Sequence, residues 1–278
     1  MPGRGAGASD ALAAAIDAFT AAGIETPRLD AEILLSQVAG IDRATLIADR
    51  GLTLEPGMSR AFSEVVRRRL RREPVAYILG SKGFRHIDLI VDRRVLIPRP
   101  ETEMLVDLAL EEKPASVLEL GTGSGAIALA VADELPGCSV LATDVSDGAI
   151  EVAVGNASRL GLGDRVAFTV GSLPEGPADF DLILANLPYV PDSDSLPPEV
   201  GQWEPAGALF GGPDGTDVIA GVLRELGEQG IGAPVIGLEV GQSQGKRVSE
   251  LLAEAGWTTT EVRPDLAGID RVVVGRRA

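Results

Sequence analysis

From Ser116 onward the sequence keeps one rhythm: a short apolar run, a polar or glycine-rich turn, then a stretch of helix length. Val117-Leu118-Glu119-Leu120 reads as a buried strand, Gly121-Thr122-Gly123-Ser124-Gly125 as a turn, and residues 126–132 as the start of a helix. The pattern repeats with strands at 140–143, 166–170, 182–185, 235–240 and 270–275, and with helices at 147–160, near 215–229 and at 243–255. Parallel strands need a crossover of a dozen residues or more, and helices supply it. The rhythm therefore predicts an α/β fold, a mainly parallel sheet covered on both faces.

Ahead of this region the periodicity is helical. Ser9 is placed to cap a helix carrying Leu12, Ile16 and Phe19 that Gly23 closes, and Thr26-Pro27 opens a second helix before Leu29, Ile33 and Leu34. A third spans roughly 57–72, with Phe62, Val65, Val66 and Leu70 at helical spacing, and Pro74 stops it. Residues 1–8 are glycine-rich and expected to fray. Residues 83–97 alternate, with Phe84, Ile87, Leu89 and Val91 before Asp92-Arg93-Arg94 and Val95 to Ile97 after, which reads as a hairpin. Three segments follow: a small helical domain over 1–75, a linker with the β-hairpin over 76–100, and a sheet domain over 101–278. Arg67, Arg68, Arg69, Arg71 and Arg72 form a basic cluster in the third helix, read either as a contact for RNA or an acidic partner or as a solvated helix face near the C-terminal end of the dipole.

Two strand ends carry the chemistry. Pro188 has no N–H for a ladder, so Asn186 falls at the carboxyl end of the 182–185 strand, where open α/β sheets place their ligand crevice. Pro188 also drives Leu187 toward extended geometry. The Asn186 side-chain oxygen and the Leu187 carbonyl then form a pair of acceptors matched to a planar NH2 group, with Tyr189 beside them. Taken alone, Asn-Leu-Pro-Tyr is equally a strand followed by a turn, and the aromatic a cover for the strand end. The second site is the glycine turn, which lets the backbone approach a ligand, with Asp144 closing the next strand and suited to the hydroxyls of a ribose. A dinucleotide would also satisfy Gly121-x-Gly123-x-x-Ala126. Glu119 favours the other choice, because a carboxylate before the turn repels a pyrophosphate and can receive an ammonium group.

Composition narrows the partners. A formal net charge of −16 over 278 residues disfavours tight nucleic-acid binding, which depends on cations displacing counterions. One cysteine, Cys138, makes no internal disulfide, and one histidine, His86, offers no zinc cluster, as expected for a cytoplasmic protein without metal. The longest uncharged run, 120–132, is too short to cross a bilayer. No G-x-x-x-x-G-K-[ST] occurs, which disfavours phosphoryl transfer.

ELGTGSGAIAL (119–129), Asp144 and the N-x-P-Y at 186–189 resemble the class I S-adenosylmethionine-dependent methyltransferases that act on planar nitrogen. REPVAYILGSKGF (72–84), VLIPRPETEMLV (95–106), EP and AL within 204–209, GGPDGTDVI (211–219) and AGIDRVVVGR (267–276) resemble more specifically the protein-(glutamine-N5) methyltransferases of the release-factor-modifying type. The resemblance implies a seven-stranded sheet. It implies S-adenosylmethionine held by Glu119, Gly121, Thr122, Gly123, Ser124, Gly125 and Asp144, with Asn186 also in contact. Ser172 and Leu173 stand where the family usually has an acid-aromatic pair for the adenine. It further implies that Asn186, Leu187, Pro188 and Tyr189 bind and activate the glutamine of the Gly-Gly-Gln loop in class-1 peptide chain release factors. A monomer is expected, and charge and hydropathy lead to the expectation of no nucleic-acid or membrane partner. The family's NPPY is NLPY here, so Leu187 replaces a proline while keeping its carbonyl. A ribosomal-protein glutamine, adenine N6 in DNA, a dinucleotide-dependent oxidation or cofactor binding without catalysis are the competing expectations.

Overall fold

The structure, a computed structural model, describes residues 6–49 and 51–277. The chain divides into two compact units: residues 1–80 with Pro197–Trp203, and residues 81–196 with 204–278.

The first unit is helical, with α1 (Ala8–Ala21), α2 (Pro27–Ala39), α3 (Arg43–Ala48), α4 (Pro56–Leu70) and α5 (Val75–Leu79). Its core gathers Phe19, Leu34, Leu35, Leu54 and Phe62. Residues 1–5 of the stretch expected to fray lie outside the described residues, and Ala6–Gly7 pairs with Thr53–Leu54. Ser9 is not the cap: α1 begins at Ala8, so Ser9 lies inside the first turn and Gly7 holds the cap position. Thr26 does precede Pro27 at the start of α2, although its hydroxyl donates to Asp30 at 2.8 Å and accepts from no backbone N–H of the first turn. α4 stops at Leu70, ahead of Pro74 as expected. A residue before a helix needs no intrahelical N–H, and Pro74 is also the cap of α5, a short helix running from Val75 into the stretch expected to be linker.

The arginine cluster is only partly the solvated helix face expected near the C-terminal end of the dipole: Arg67 and Arg71 are exposed, whereas the others turn inward. Arg69 is only 5% exposed and reaches Asp30 at 2.7 Å and Glu199 at 2.9 Å; Arg68 pairs with Glu73 at 2.6 Å, Arg67 with Glu64 at 2.5 Å and Arg72 with Glu199 at 3.2 Å. Glu199 lies in α9 (Pro198–Gly201), so Arg69 and Arg72 hold the returning segment to the helical unit.

The second unit is built on a seven-stranded sheet of β1 (Ser116–Leu120), β2 (Ser139–Asp144), β3 (Val166–Val170), β4 (Leu182–Ala185), β5 (Val235–Glu239), β6 (Thr259–Pro264) and β7 (Asp270–Arg276). The spatial order is β6-β7-β5-β4-β1-β2-β3, with β7 antiparallel to both neighbours and all other pairs parallel. Order reverses beside β1, the switch point at which such sheets open a crevice. Flanking helices are α6 (Glu103–Glu112), α7 (Ala126–Glu134), α8 (Asp147–Leu160), α10 (Asp217–Gln229) and α11 (Gly245–Glu254). β4 is buried at every position, as a central parallel strand must be.

The hairpin differs from expectation. Its strands are Ser81–Phe84 and Ile87–Ile90, and the turn is Arg85-His86 rather than Asp92–Arg94. Arg85 takes a positive φ of 50°, and its guanidinium is held by Glu134 at 2.6 Å and Asp107 at 2.6 Å, which compensate for the strained backbone. Val91 and Val95 are buried beyond the hairpin, and their alternation imitated a strand. Asn156, fully buried on α8, accepts from the Ile90 N–H at 2.7 Å and donates to the Ile90 and Ser124 carbonyls, joining the hairpin to the glycine turn.

Candidate active site

A cavity of about 590 Å³ opens at the carboxyl ends of β1, β2 and β4, within the usual range for small-molecule sites. Glu119, Gly121, Thr122, Gly123, Ser124, Asp144, Ser172, Asn186, Leu187 and Pro188 line it. Gly121 and Gly123 adopt φ of 72° and 55°, a conformation costly for residues with a side chain. The loop is pinned from both ends. Asp144 accepts from the Gly123 N–H and the Ser146 N–H, each at 2.9 Å, which leaves further lone pairs of its two oxygens for a ligand. Glu119 Oε2 accepts from the Thr122 hydroxyl at 2.6 Å and from the Ala128 N–H at 3.0 Å. Glu119 is 1% exposed, and burial pushes its pKa up to about 8 against those two hydrogen bonds, with Asp144 adding to the rise. A buried acid facing a cavity suits a cationic group, which would restore its charge.

At the end of β4, Asn186 Nδ2 donates to the Thr102 hydroxyl at 3.1 Å. This leaves Oδ1 as the free end of the amide. Among the described residues no backbone donor takes the Leu187 carbonyl. Two loops hold this strand end in place. A Cβ at Gly211 or Gly215 would run into the Pro188 and Tyr189 carbonyls, so the 211–219 loop packs on the Asn-Leu-Pro-Tyr backbone only because it has glycines there. Glu204 accepts from the Ile97 N–H at 2.9 Å and from Arg99 at 2.5 Å, fixing the Pro98–Pro100 segment beside the cavity.

Comparison with known proteins decides which family this geometry belongs to. Residues 10–80 match the family described as PrmC N-terminal domain, and residues 117–197 match the family described as Methyltransferase domain. The release factor glutamine methyltransferase of Caulobacter vibrioides is 40% identical over 277 residues, covering 95% of this chain and 94% of that one. That of Geobacter sulfurreducens is 41% identical over 260 residues, covering 91% of each. The chain belongs to the release factor glutamine methyltransferase family. A solved methyltransferase from Pyrococcus furiosus shares the fold at 18% identity, with a TM-score of 0.52 over 78% of this chain and 99% of that one. As a family member the protein is a methyltransferase whose methyl donor is S-adenosylmethionine.

Three of the residues expected at the site do not line this cavity. Gly125 is a packing glycine: with φ of 84°, a Cβ there would meet Leu129 Cδ1 at 2.9 Å. Leu173 points into the hydrophobic core, leaving only Ser172 of that pair at the cavity. Tyr189 lines a neighbouring cavity of about 440 Å³; its hydroxyl donates to Glu239 at 3.2 Å, and its pKa is raised by burial and by that carboxylate. Sequence reasoning also missed residues that do line the site. Val145 stands 74% exposed at the cavity edge, an uncovered apolar side chain next to Asp144. Glu225 of α10 accepts the Ser172 hydroxyl at 2.9 Å and brings a carboxylate to the cavity wall. Thr102 lines the cavity too, and nothing in the local sequence of VLIPRPETEMLV marks it.

Proposed function

We propose that the protein transfers a methyl group to the side-chain amide nitrogen, N5, of the glutamine in the Gly-Gly-Gln motif of class-1 peptide chain release factors. The observation that carries this reading is the orientation of Asn186, whose NH2 is spent on Thr102 so that Oδ1 stands free beside the Leu187 carbonyl. S-adenosylmethionine, when bound, supplies an electrophilic methyl group. Gly121, Gly123 and Asp144 fit its amino-acid and ribose portions, Glu119 its ammonium, and Val145 with Ser172 and Glu225 its base.

An amide nitrogen is a weak nucleophile because its lone pair is delocalised into the carbonyl. Accepting its two N–H groups at Asn186 Oδ1 and the Leu187 carbonyl would hold the nitrogen in line for attack and stabilise the positive charge that grows on it. Both oxygens are set by folded structure, so little reorganisation is needed. The same pair could grip the amine of adenine, but the net charge of −16 opposes DNA. A cytoplasmic monomer meets the needs of this reaction, and no described helix is long and apolar enough to cross a membrane.

The test is methyl transfer from labelled S-adenosylmethionine to release factor, to a variant factor with the Gly-Gly-Gln glutamine replaced, to ribosomal proteins and to DNA. Label on the unaltered factor alone, mapped to that glutamine by mass spectrometry, is the expected result. An unlabelled factor alongside labelled DNA or ribosomal protein would overturn the reading.

A further inference from the structure

An asparagine side chain has two ends of nearly the same shape, and only one of them can accept the N–H groups of a substrate amide. Which end faces the cavity depends on the hydrogen bonds behind it. Behind Asn186 stands the Thr102 hydroxyl, 4% exposed, which receives Nδ2 at 3.1 Å. A hydroxyl can also donate, and if Thr102 gave its hydrogen to Asn186 the amide would be turned the other way. Thr102 accepts only while its own hydrogen is taken elsewhere.

The group that can take it is Glu239, the last residue of β5, itself 1% exposed. Its Oε1 accepts the Tyr189 hydroxyl at 3.2 Å, while Oε2 is buried without a hydrogen-bond partner of its own. The Thr102 hydroxyl favours the ionised form of this carboxyl against burial, although among the described residues the two are not joined by a formed hydrogen bond and Oε2 is still open to receive one. The remaining charged neighbours are Arg271, which favours the carboxylate and is itself paired with Asp265 at 3.1 Å, and Glu101, which opposes it.

We propose that Glu239, acting through Thr102, is the positioning residue that fixes the acceptor end of Asn186 toward the cavity. This rests on the reading of that cavity as an amide-nitrogen site. With Glu239 ionised, hydrogens run from Asn186 to Thr102 to Glu239, and from Tyr189 to Glu239, so Oδ1 is left for the substrate. Protonated, Glu239 has a hydrogen to give to Thr102. The Thr102 hydrogen then turns to Asn186, and the amide is stabilised with its NH2 toward the substrate's own N–H groups. Burial raises the Glu239 pKa to about 6, so the reversal falls on the acid side of neutrality.

Kinetics on Thr102→Val, Thr102→Ser and Glu239→Gln, from pH 5 to 9, test this, with S-adenosylhomocysteine affinity by calorimetry and folding by circular dichroism for each. Thr102→Val should lower kcat about tenfold or more, the scale for losing one preorganised polar contact, with KM for the acceptor and cofactor affinity held within about threefold. Thr102→Ser should recover to within about threefold of wild type, since it keeps the hydroxyl. Wild-type kcat should fall on an acid limb centred near pH 6 that Glu239→Gln lacks. Full activity in Thr102→Val, equal impairment in Thr102→Ser, or an unchanged acid limb in Glu239→Gln would each overturn the proposal. If the wild type methylates some other amide or amine in place of the release factor, the functional reading fails, and the same variants on that acceptor still decide the role of Glu239.

Discussion

Replacing Glu119 by glutamine should make the ligand-free protein more stable and a worse binder of its methyl donor. Glutamine keeps an oxygen for the Thr122 hydroxyl and the Ala128 N–H, so the glycine turn retains its two anchors. What it removes is an ionisable group whose pKa rises from 4.5 to about 8 on folding. A raised folded pKa means that the stability tied to this group is complete below about pH 4.5 and is lost as pH climbs through 8. At pH 7 the unfolded chain releases the proton and the folded chain retains it, which linkage converts to about 3 kcal/mol against the native state. Urea unfolding of wild type and Glu119→Gln at pH 5 and pH 8 measures the difference: the variant should gain at pH 8 and little at pH 5. Calorimetry supplies the functional half. An ammonium brought to Glu119 should drive off up to about 0.9 proton at pH 7, visible as binding heats for S-adenosylhomocysteine that track buffer ionisation enthalpy in wild type and not in the variant. A variant less stable than wild type at pH 8, or binding without proton release in either protein, would refute the reasoning.

Asn186→Ala should cost on the order of 10²-fold in kcat by removing an oriented acceptor, whereas Leu187→Pro keeps its carbonyl and should stay within about tenfold in steady-state assays. Because the Leu187 side chain is buried in the core, the same Leu187→Pro change should lower stability by about 1–3 kcal/mol in urea titrations. Arg69→Met strands Asp30 as a buried unpaired carboxylate and should destabilise the helical unit by about 3–5 kcal/mol, seen as early loss of hydrogen-exchange protection in α2 and α4. Gly125→Ala combines a left-handed backbone with a clash on Leu129 and should lower the thermal midpoint, by an amount corresponding to about 2 kcal/mol, although Gly125 does not line the cavity.

Much of the sheet unit could be read from local pattern, and the exceptions have physical causes. The strands expected at 166–170 and 182–185 and the helix expected at 147–160 span Val166–Val170, Leu182–Ala185 and Asp147–Leu160, because each is an apolar or periodic run bounded by turn residues. β6 was not expected. Thr259 to Pro264 is a sheet edge, largely polar and only partly buried, and without an apolar run it leaves no signal. The turn of the hairpin carries no local signal because Arg85-His86 lacks glycine or asparagine, and the Arg85 N–H is taken by Glu103 and its guanidinium by Glu134 and Asp107, acids distant in the chain. At the site, Glu119, Asp144 and Asn186 stand at the ends of readable strands. Thr102, Glu204, Glu225 and Glu239 do not announce themselves. Each becomes informative only when the fold brings it to a partner far along the chain, as Thr102 is to Asn186.

The helical unit is discontinuous in sequence: the chain leaves it at Gly80 and comes back for Pro197–Trp203, where Glu199 meets Arg69 and Arg72. It therefore cannot travel as a cassette. A gene fragment ending at Gly80 would encode Arg69 with one of its two acids missing, and a fragment starting after it would carry Pro197–Trp203 with no helices to fold against. Grafting this module onto another methyltransferase would require two insertions made together, and the same arithmetic makes its loss by a single deletion costly. In evolutionary terms the two units are bound to be inherited as one.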